Sequence, residues 1–472
     1  MGMKHKALLL LSLGLLFLIQ VGGICWSQTT ERISLGSGGI EGNDASTDPS
    51  ISSNGMHVAF KSFATNLVAG GTNGKTHIFV RHRQTGITSL VSVDSAGTEG
   101  NGDSSAPSIS GDGRYVAFVS DSDNLVGGDS NGFFDIFVHD LQSGNTIRGS
   151  VTSGGGESDG VSFNPSISSD GRYTAFDSDG DLVAADSGNY YDIFVRDIVA
   201  ARTTRMSVDS GGNEGNGHSY SPSISGNGRY VAFESIATNL VPSGSNGLVH
   251  IFVHDRDADG DGIYDEAGAT STAQMSVNSA GTEADGDSSS ASISADGRYV
   301  AFESVGTNLV GLGNDTNGKV DIFVHDLQTG ITERVSVDST GIQGNGDSYS
   351  PSISADGRYV AFQSDASNLV AGDTNASTDV FVHDLQTGST TRVSVDSDGN
   401  QGTDHSYSPS ISSDSKYVAF ESLASNLVAG DTNGSTDVFV HDPDADGSGA
   451  TSASSSGSSS GCFIDTLAHD FL

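Results

Sequence analysis

The chain has 472 residues, 63 of them glycine and 8 proline, and it carries 59 acidic against 21 basic side chains, a formal net charge of −38. A surface this negative repels phosphate backbones and excludes nucleic acid as a partner, while suiting cations, basic partners or plain colloidal solubility. Only Cys25 and Cys462 occur, so no disulfide framework holds the fold.

At the N-terminus Lys4 and Lys6 precede an apolar run from Ala7 to Ile19, followed by the small residues Gly22, Gly23 and Ser27. That layout is a secretory signal peptide, so residues 1–27 are expected to be cleaved on export, leaving an acidic mature chain with no membrane span.

From there to residue 445 the chain repeats one sentence seven times, beginning at Pro49, Pro107, Pro165, Pro222, Ala291, Pro351 and Pro409. The starts lie 58, 58, 57, 69, 60 and 58 residues apart, which suits a four-stranded propeller blade with generous loops. In the second copy Pro107 to Ser110 is a short extended run, and Asp112-Gly113 makes a tight turn. Arg114 to Phe118 forms the next strand, DIFVHD at Asp135 to Asp140 a third, and TIRGSV a fourth. The strands are rich in Val, Ile, Phe and Tyr, and no helical period appears in the body, so the fold class is all-β.

The seventh copy stops after Val438 to Asp442 without its fourth strand, whereas ERISLGSGGIEGNDAS near the N-terminus aligns with ERVSVDSTGIQGNGDS at Glu333 to Ser348. Residues around Glu31 to Leu35 are therefore expected to supply the outer strand of the last blade. The prediction is a closed seven-bladed β-propeller of four-stranded antiparallel blades over residues 28–445. With SPSISADGRYVAFQS and DVFVHDLQTG at Ser350 to Ser364 and Asp379 to Gly388, the repeat resembles the WD40-like repeats of the TolB type across nearly the whole mature chain. It departs in having Ser-Ile-Ser where that family often shows Trp-Ser-Pro. The resemblance implies a propeller fold and an exported binding scaffold.

Loops after the second strand carry paired acids: Asp129 and Asp135, Asp186 and Asp192, Asp315 and Asp321, Asp373 and Asp379, Asp431 and Asp437, with Asn131, Asn317, Asn375 and Asn433 between. Two copies have Gly71 with His77 and Gly244 with His250, so both members change together. Each loop offers carboxylate and amide oxygens to Ca²⁺, and the same residues would equally close Asx turns.

The fourth unit is longer because eleven extra residues separate His254 from Ser279, compared with His325 to Ser339. They contain DRDADGDGIYDEAG, in which Asp255, Asp257, Asp259, Gly260 and Glu266 keep the spacing of an EF-hand loop. A second register, Asp257, Asp259, Asp261, Gly262 and Asp265, resembles the calcium loops of thrombospondin type 3 repeats. In either register the expectation is one structural Ca²⁺, ordering a mobile hairpin between the outer two strands of blade four.

The repeated His139, His254, His325, His383 and His441 cannot converge in a ring and are expected to be structural. The arginines of the turns, Arg114, Arg172, Arg229, Arg298 and Arg358, are expected to pair with carboxylates of neighbouring blades. Residues 446–472 form a Gly/Ser-rich linker and a tail whose GCFIDT resembles the Gly/Ser-CFIxT endings of exported bacterial proteins. No nucleophile elbow, HExxH, phosphate loop or CxxC is present. The sequence thus points to an exported, monomeric, non-enzymatic binding or scaffold propeller that takes a protein or glycan on its acidic loop face. A glycan-processing propeller using channel carboxylates and a calcium-dependent surface adhesin are the alternatives.

Overall fold

A computed structural model describes residues 28–184, 190–311 and 313–443. Residues 1–27, expected to be a signal peptide, the 446–472 tail and Asp186 lie outside these residues.

Seven four-stranded antiparallel sheets form the blades of a propeller, and no helix occurs among the described residues, so none is long and apolar enough to cross a membrane. Blade one is typical. Its inner strand is Ser46–Ile51, followed by His57–Ser62, His77–His82 and the outer Ile87–Leu90. The second and third strands read HVAF and HIFV, with several consecutive residues buried, because each blade packs both faces against its neighbours. Phe60 and Phe79 stack with centroids 5.9 Å apart, and the equivalent pair recurs in every blade. The core lies between blades: Val58, Phe60 and Phe79 pack with Ala419, Val438, Val440 and Ile33 of blade seven.

The ring closes as the N-terminal sequence requires. Thr29–Arg32 pairs antiparallel with Asp437–Asp442, in register Thr29 to Asp442 and Arg32 to Phe439, and supplies the outer strand of blade seven. The Ile33 amide continues the ladder to the Val438 carbonyl at 2.7 Å.

Each inner strand bulges at the same place, just before a proline in six blades and before Ala291 in blade five; the ladder slips a register there, where proline has no N–H to give. The preceding residue takes a positive φ in all seven blades, between 49° at Ala106 and 55° at Ser290. At the other end of the channel the first turns of adjacent blades are linked by backbone bonds such as Ser53 N to Gly111 O (3.0 Å) and Gly226 N to Ala295 O (3.0 Å). A cavity of about 400 Å³ lies at the proline ring, and a separate one of about 140 Å³ lies at these turns.

Turn glycines are fixed by two demands at once. Gly297 has φ 78°, and a Cβ there would overlap Cδ2 of Tyr230 from the preceding blade. Gly297→Ala is expected to cost about 3 kcal/mol, combining left-handed strain with overpacking, as read by urea unfolding. Blade seven carries Ser415 at the same place with φ 63°, and Ser415→Gly should stabilise by about 1 kcal/mol.

The turn arginines pair within their own blade, not with a neighbour as the sequence suggested. Register explains the difference: Tyr115 lies opposite Asp140, which brings the adjacent Arg114 onto that carboxylate at 2.8 and 2.6 Å. The repeated histidines staple blades together. His139 Nδ1 meets Thr146 Oγ1 at 2.8 Å, and that hydroxyl donates to the Val93 carbonyl of the preceding blade.

Candidate functional site

The blade-four insertion runs between the strands His250–Asp255 and Ser271–Gln274. Its stem is docked through Arg256. Arg256, 2% exposed, binds Asp265 through Nε and Nη2 at 2.8 and 2.7 Å and donates to the Gly228 carbonyl at 2.7 Å. Its guanidinium lies over the paired rings of Tyr173 and Tyr264, 4.6 and 5.0 Å from their centroids, which are 5.7 Å apart. The hairpin is therefore fastened to blade three, in place of the free excursion expected from its sequence.

Of the six acids expected to ligate there, three converge: Asp257, Asp259 and Asp261 place carboxylate oxygens within 4.8 Å of one another. Asp257 is buried and accepts from the Gly262 amide, and Asp261 accepts from the Ile263 amide. Asp255 is engaged by Arg229 at 2.7 and 2.8 Å and Asp265 by Arg256, while Glu266 is not in the converging set. The convergence follows the register that starts at Asp257, with Gly260 and Gly262 at φ 73° and 86° letting the oxygens turn inward.

The paired acids of the loops meet an internal cation. Arg148 Nη1 lies 3.1 Å from Asp129, 3.3 Å from Asp135 and 2.9 Å from Glu157. Arg334 does the same for Asp315 and Asp321, Arg392 for Asp373 and Asp379, and Arg32 for Asp431, Asp437 and Glu41. Arg205 meets Asp192, whose partner Asp186 lies outside the described residues. Asn131, Asn317, Asn375 and Asn433 donate to carbonyls of the following loop: Ser158, Gly344, Gly402 and Gly42. The joint loss of both acids in blades one and four now has its cause, since Leu90 and Gln274 stand where the arginine would be. His77 and His250 bind Ser92 and Ser276 instead. Keeping two buried carboxylates without their arginine would be costly. Burial pushes Asp129 and Asp431 up to about 6, while hydrogen bonds from Ser130 and Arg148 hold Glu157 down at about 2.

A third group escaped the sequence reading. On the same face, at the channel mouth, Asp177 is the penultimate residue of the second strand of blade three, Tyr173–Ser178, where other blades have Lys61, Val119, Glu234, Glu303, Gln363 and Glu421. It accepts from Asn164 Nδ2 (2.9 Å) and from the Ser221 amide of the next blade (3.1 Å). Around it Tyr191 and Tyr220 pack 5.2 Å apart, and His218 stacks on Tyr220 at 5.7 Å and 11° with Tyr190 against its edge. Phe134 and Phe163 extend the aromatic arc into blade two. The available signal was the pair of aromatic dipeptides Phe133-Phe134 and Tyr190-Tyr191, where other blades have Lys75-Thr76, Leu248-Val249 or Ser377-Thr378.

Burial pushes Asp177 up to about 6 from 3.8, with the Glu234 charge adding to it. A raised folded pKa means that the stability tied to the protonated form is complete below pH 3.8 and is lost as pH rises through about 6. Asp177→Asn keeps both acceptor bonds, so it should be more stable than the parent by about 3 kcal/mol at pH 8, with the gap closing toward pH 4 in urea unfolding.

No family model matches the chain, and comparison with curated proteins finds no match. Solved structures similar to it include a putative TolB from Agrobacterium tumefaciens, 17% identical over 62% of this chain and 80% of that one, TM-score 0.37. Another is an oligogalacturonate lyase in complex with manganese, 12% identical over 88% of this chain and 90% of that one, TM-score 0.48. A third is a puromycin-hydrolyzing peptidase from Mycobacterium tuberculosis, 12% identical over 87% of this chain and 55% of that one, TM-score 0.49. Likenesses this distant assign no function.

Proposed function

We propose that the protein is an exported, non-enzymatic binding propeller, monomeric, whose ligand is a protein or glycan taken on the acidic loop face. Support comes from one observation above all: the stack of His218 on Tyr220 recurs as His405 on Tyr407, but only between blades two and four do further rings, Phe134, Tyr190 and Tyr191, break the sevenfold pattern beside carboxylates. Concave, aromatic surfaces with a few fixed polar groups suit recognition. Saturable binding of the mature protein to isolated cell envelope, weakened by Tyr220→Ala, is the expected result. Absence of saturable binding overturns the reading, and sensitivity of the binding sites to protease or to periodate separates a protein ligand from a glycan.

Calcium at the blade-four hairpin belongs to the same proposal as a structural ion held by Asp257, Asp259 and Asp261, whose mutual repulsion a cation relieves. Adding Ca²⁺ to metal-free protein should raise the unfolding midpoint, Mg²⁺ should not, and Asp257→Asn with Asp259→Asn should abolish the rise. At 100 times Kd the stabilisation would be about 2.7 kcal/mol.

The competing reading is a glycan-processing propeller in which Asp177 serves as proton donor, favoured by its burial and its pKa of about 6 beside Glu234. Product release from a glycan panel, lost in Asp177→Asn, would replace binding with turnover.

A further inference from the structure

We infer that the channel mouth between blades three and four binds an uncharged oligosaccharide, its sugar rings laid on Tyr191, His218 and Tyr220. The inference rests on the binding reading above and names its ligand.

The rings make a ledge and not a cage. Tyr191 packs on Tyr220 at 5.2 Å, His218 lies nearly parallel to Tyr220 at 11°, and Tyr190 closes the edge of His218 at 5.2 Å and 87°. Rings packed against rings leave no central void to enclose an ammonium group, which needs faces converging on a cation. All four rings are partly exposed, and exposed ring faces bordered by polar edges suit a pyranose, which has an apolar face and a hydroxyl rim.

The polar edge both donates and accepts, as hydroxyl groups require. Asp179 takes a hydrogen bond from Tyr191, and Asp177 is held in place by Asn164 and Ser221. His218 Nδ1 accepts from the Tyr191 amide at 3.0 Å, so the neutral ring carries its proton on Nε2 as a donor.

Charge selects among sugars. The charged groups that act on Tyr191 and Tyr220 are Asp177, Asp179 and Glu234, and the whole chain is strongly acidic. Uronate or sulfated polymers would be repelled. Asn164 and Ser221 also line the cavity of about 400 Å³ at the proline ring, so the end of a chain stacked on the ledge can enter the channel. That volume falls in the range of roughly 300–1,000 Å³ usual for small-ligand clefts.

The test is affinity electrophoresis of the mature protein in gels carrying neutral glucans, xylans or mannans, with polygalacturonate and chitosan as charged comparisons, followed by calorimetry with matching oligosaccharides. Retardation by at least one neutral polymer is expected, with affinity falling tenfold or more in Tyr191→Ala and Tyr220→Ala at unchanged thermal midpoint. Tyr349→Ala, at the position of Tyr220 on blade six, should leave it unchanged. Retardation by charged polymers alone, by none, or without effect of either tyrosine change overturns the inference. A protease-sensitive envelope ligand would overturn it too while leaving the binding reading standing.

Discussion

A chain beginning at Gly38 is expected to lose its cooperative unfolding transition. The missing segment carries the whole outer strand of blade seven, and with it the pairing of Thr29–Arg32 to Asp437–Asp442. Ile33, fully buried, leaves the core between blades seven and one, a loss of about 1.5–3 kcal/mol. Arg32 leaves Asp437, which is fully buried, without its cation, and Ser34 takes away a further hydrogen bond to the same carboxylate; stranding a buried charge costs about 3–5 kcal/mol. Thr30 also binds the Val395 carbonyl and His441, so the joint with blade six loosens. Together these losses approach the whole stability of a typical domain, about 5–15 kcal/mol. The exposed edge of Asp437–Asp442 would then recruit other chains. Calorimetry and size-exclusion chromatography read both effects, and a synthetic peptide covering residues 28–42 should restore the transition. An unchanged midpoint would mean that the ring does not depend on its closing strand.

The second large effect is expected at Arg256. Arg256→Ala should destabilise by about 3–5 kcal/mol in urea unfolding, because Asp265 would keep its buried charge with no partner. Blades two, five and six place Leu141, Leu327 and Leu385 at this position, so an apolar residue fits the joint itself. The double variant Arg256→Leu with Asp265→Gly should therefore recover most of the loss, glycine also accepting the φ of 64° at residue 265. Failure of the double variant to recover would place the cost in the cation stack with Tyr173 and Tyr264 and not in the stranded charge.

The two changes mark what was and was not legible in the chain. Blade number, strand order and the displaced closing strand were readable, because each follows from a local pattern repeated at a fixed period. The hairpin between the outer strands of blade four was equally visible, as an insertion into that period. Which of its acids converge was not: Asp255 and Asp265 became partners of Arg229 and Arg256, a choice made by the neighbouring turn and by blade three.

Arg148 also shows why partner identity escapes a linear reading. It sits 19 residues after Asp129 and 9 before Glu157, and only antiparallel pairing and the following loop bring the three together. Asp177 and Ser221 are 44 residues apart and meet across two blades. Sequence by itself determined the repeat, the all-β blades and the closure of the ring, since strand propensity and alternation act between near neighbours. Tertiary structure alone decided which charges are neutralised and which aromatic rings share the channel mouth, because those contacts depend on register and on how one blade stacks against the next.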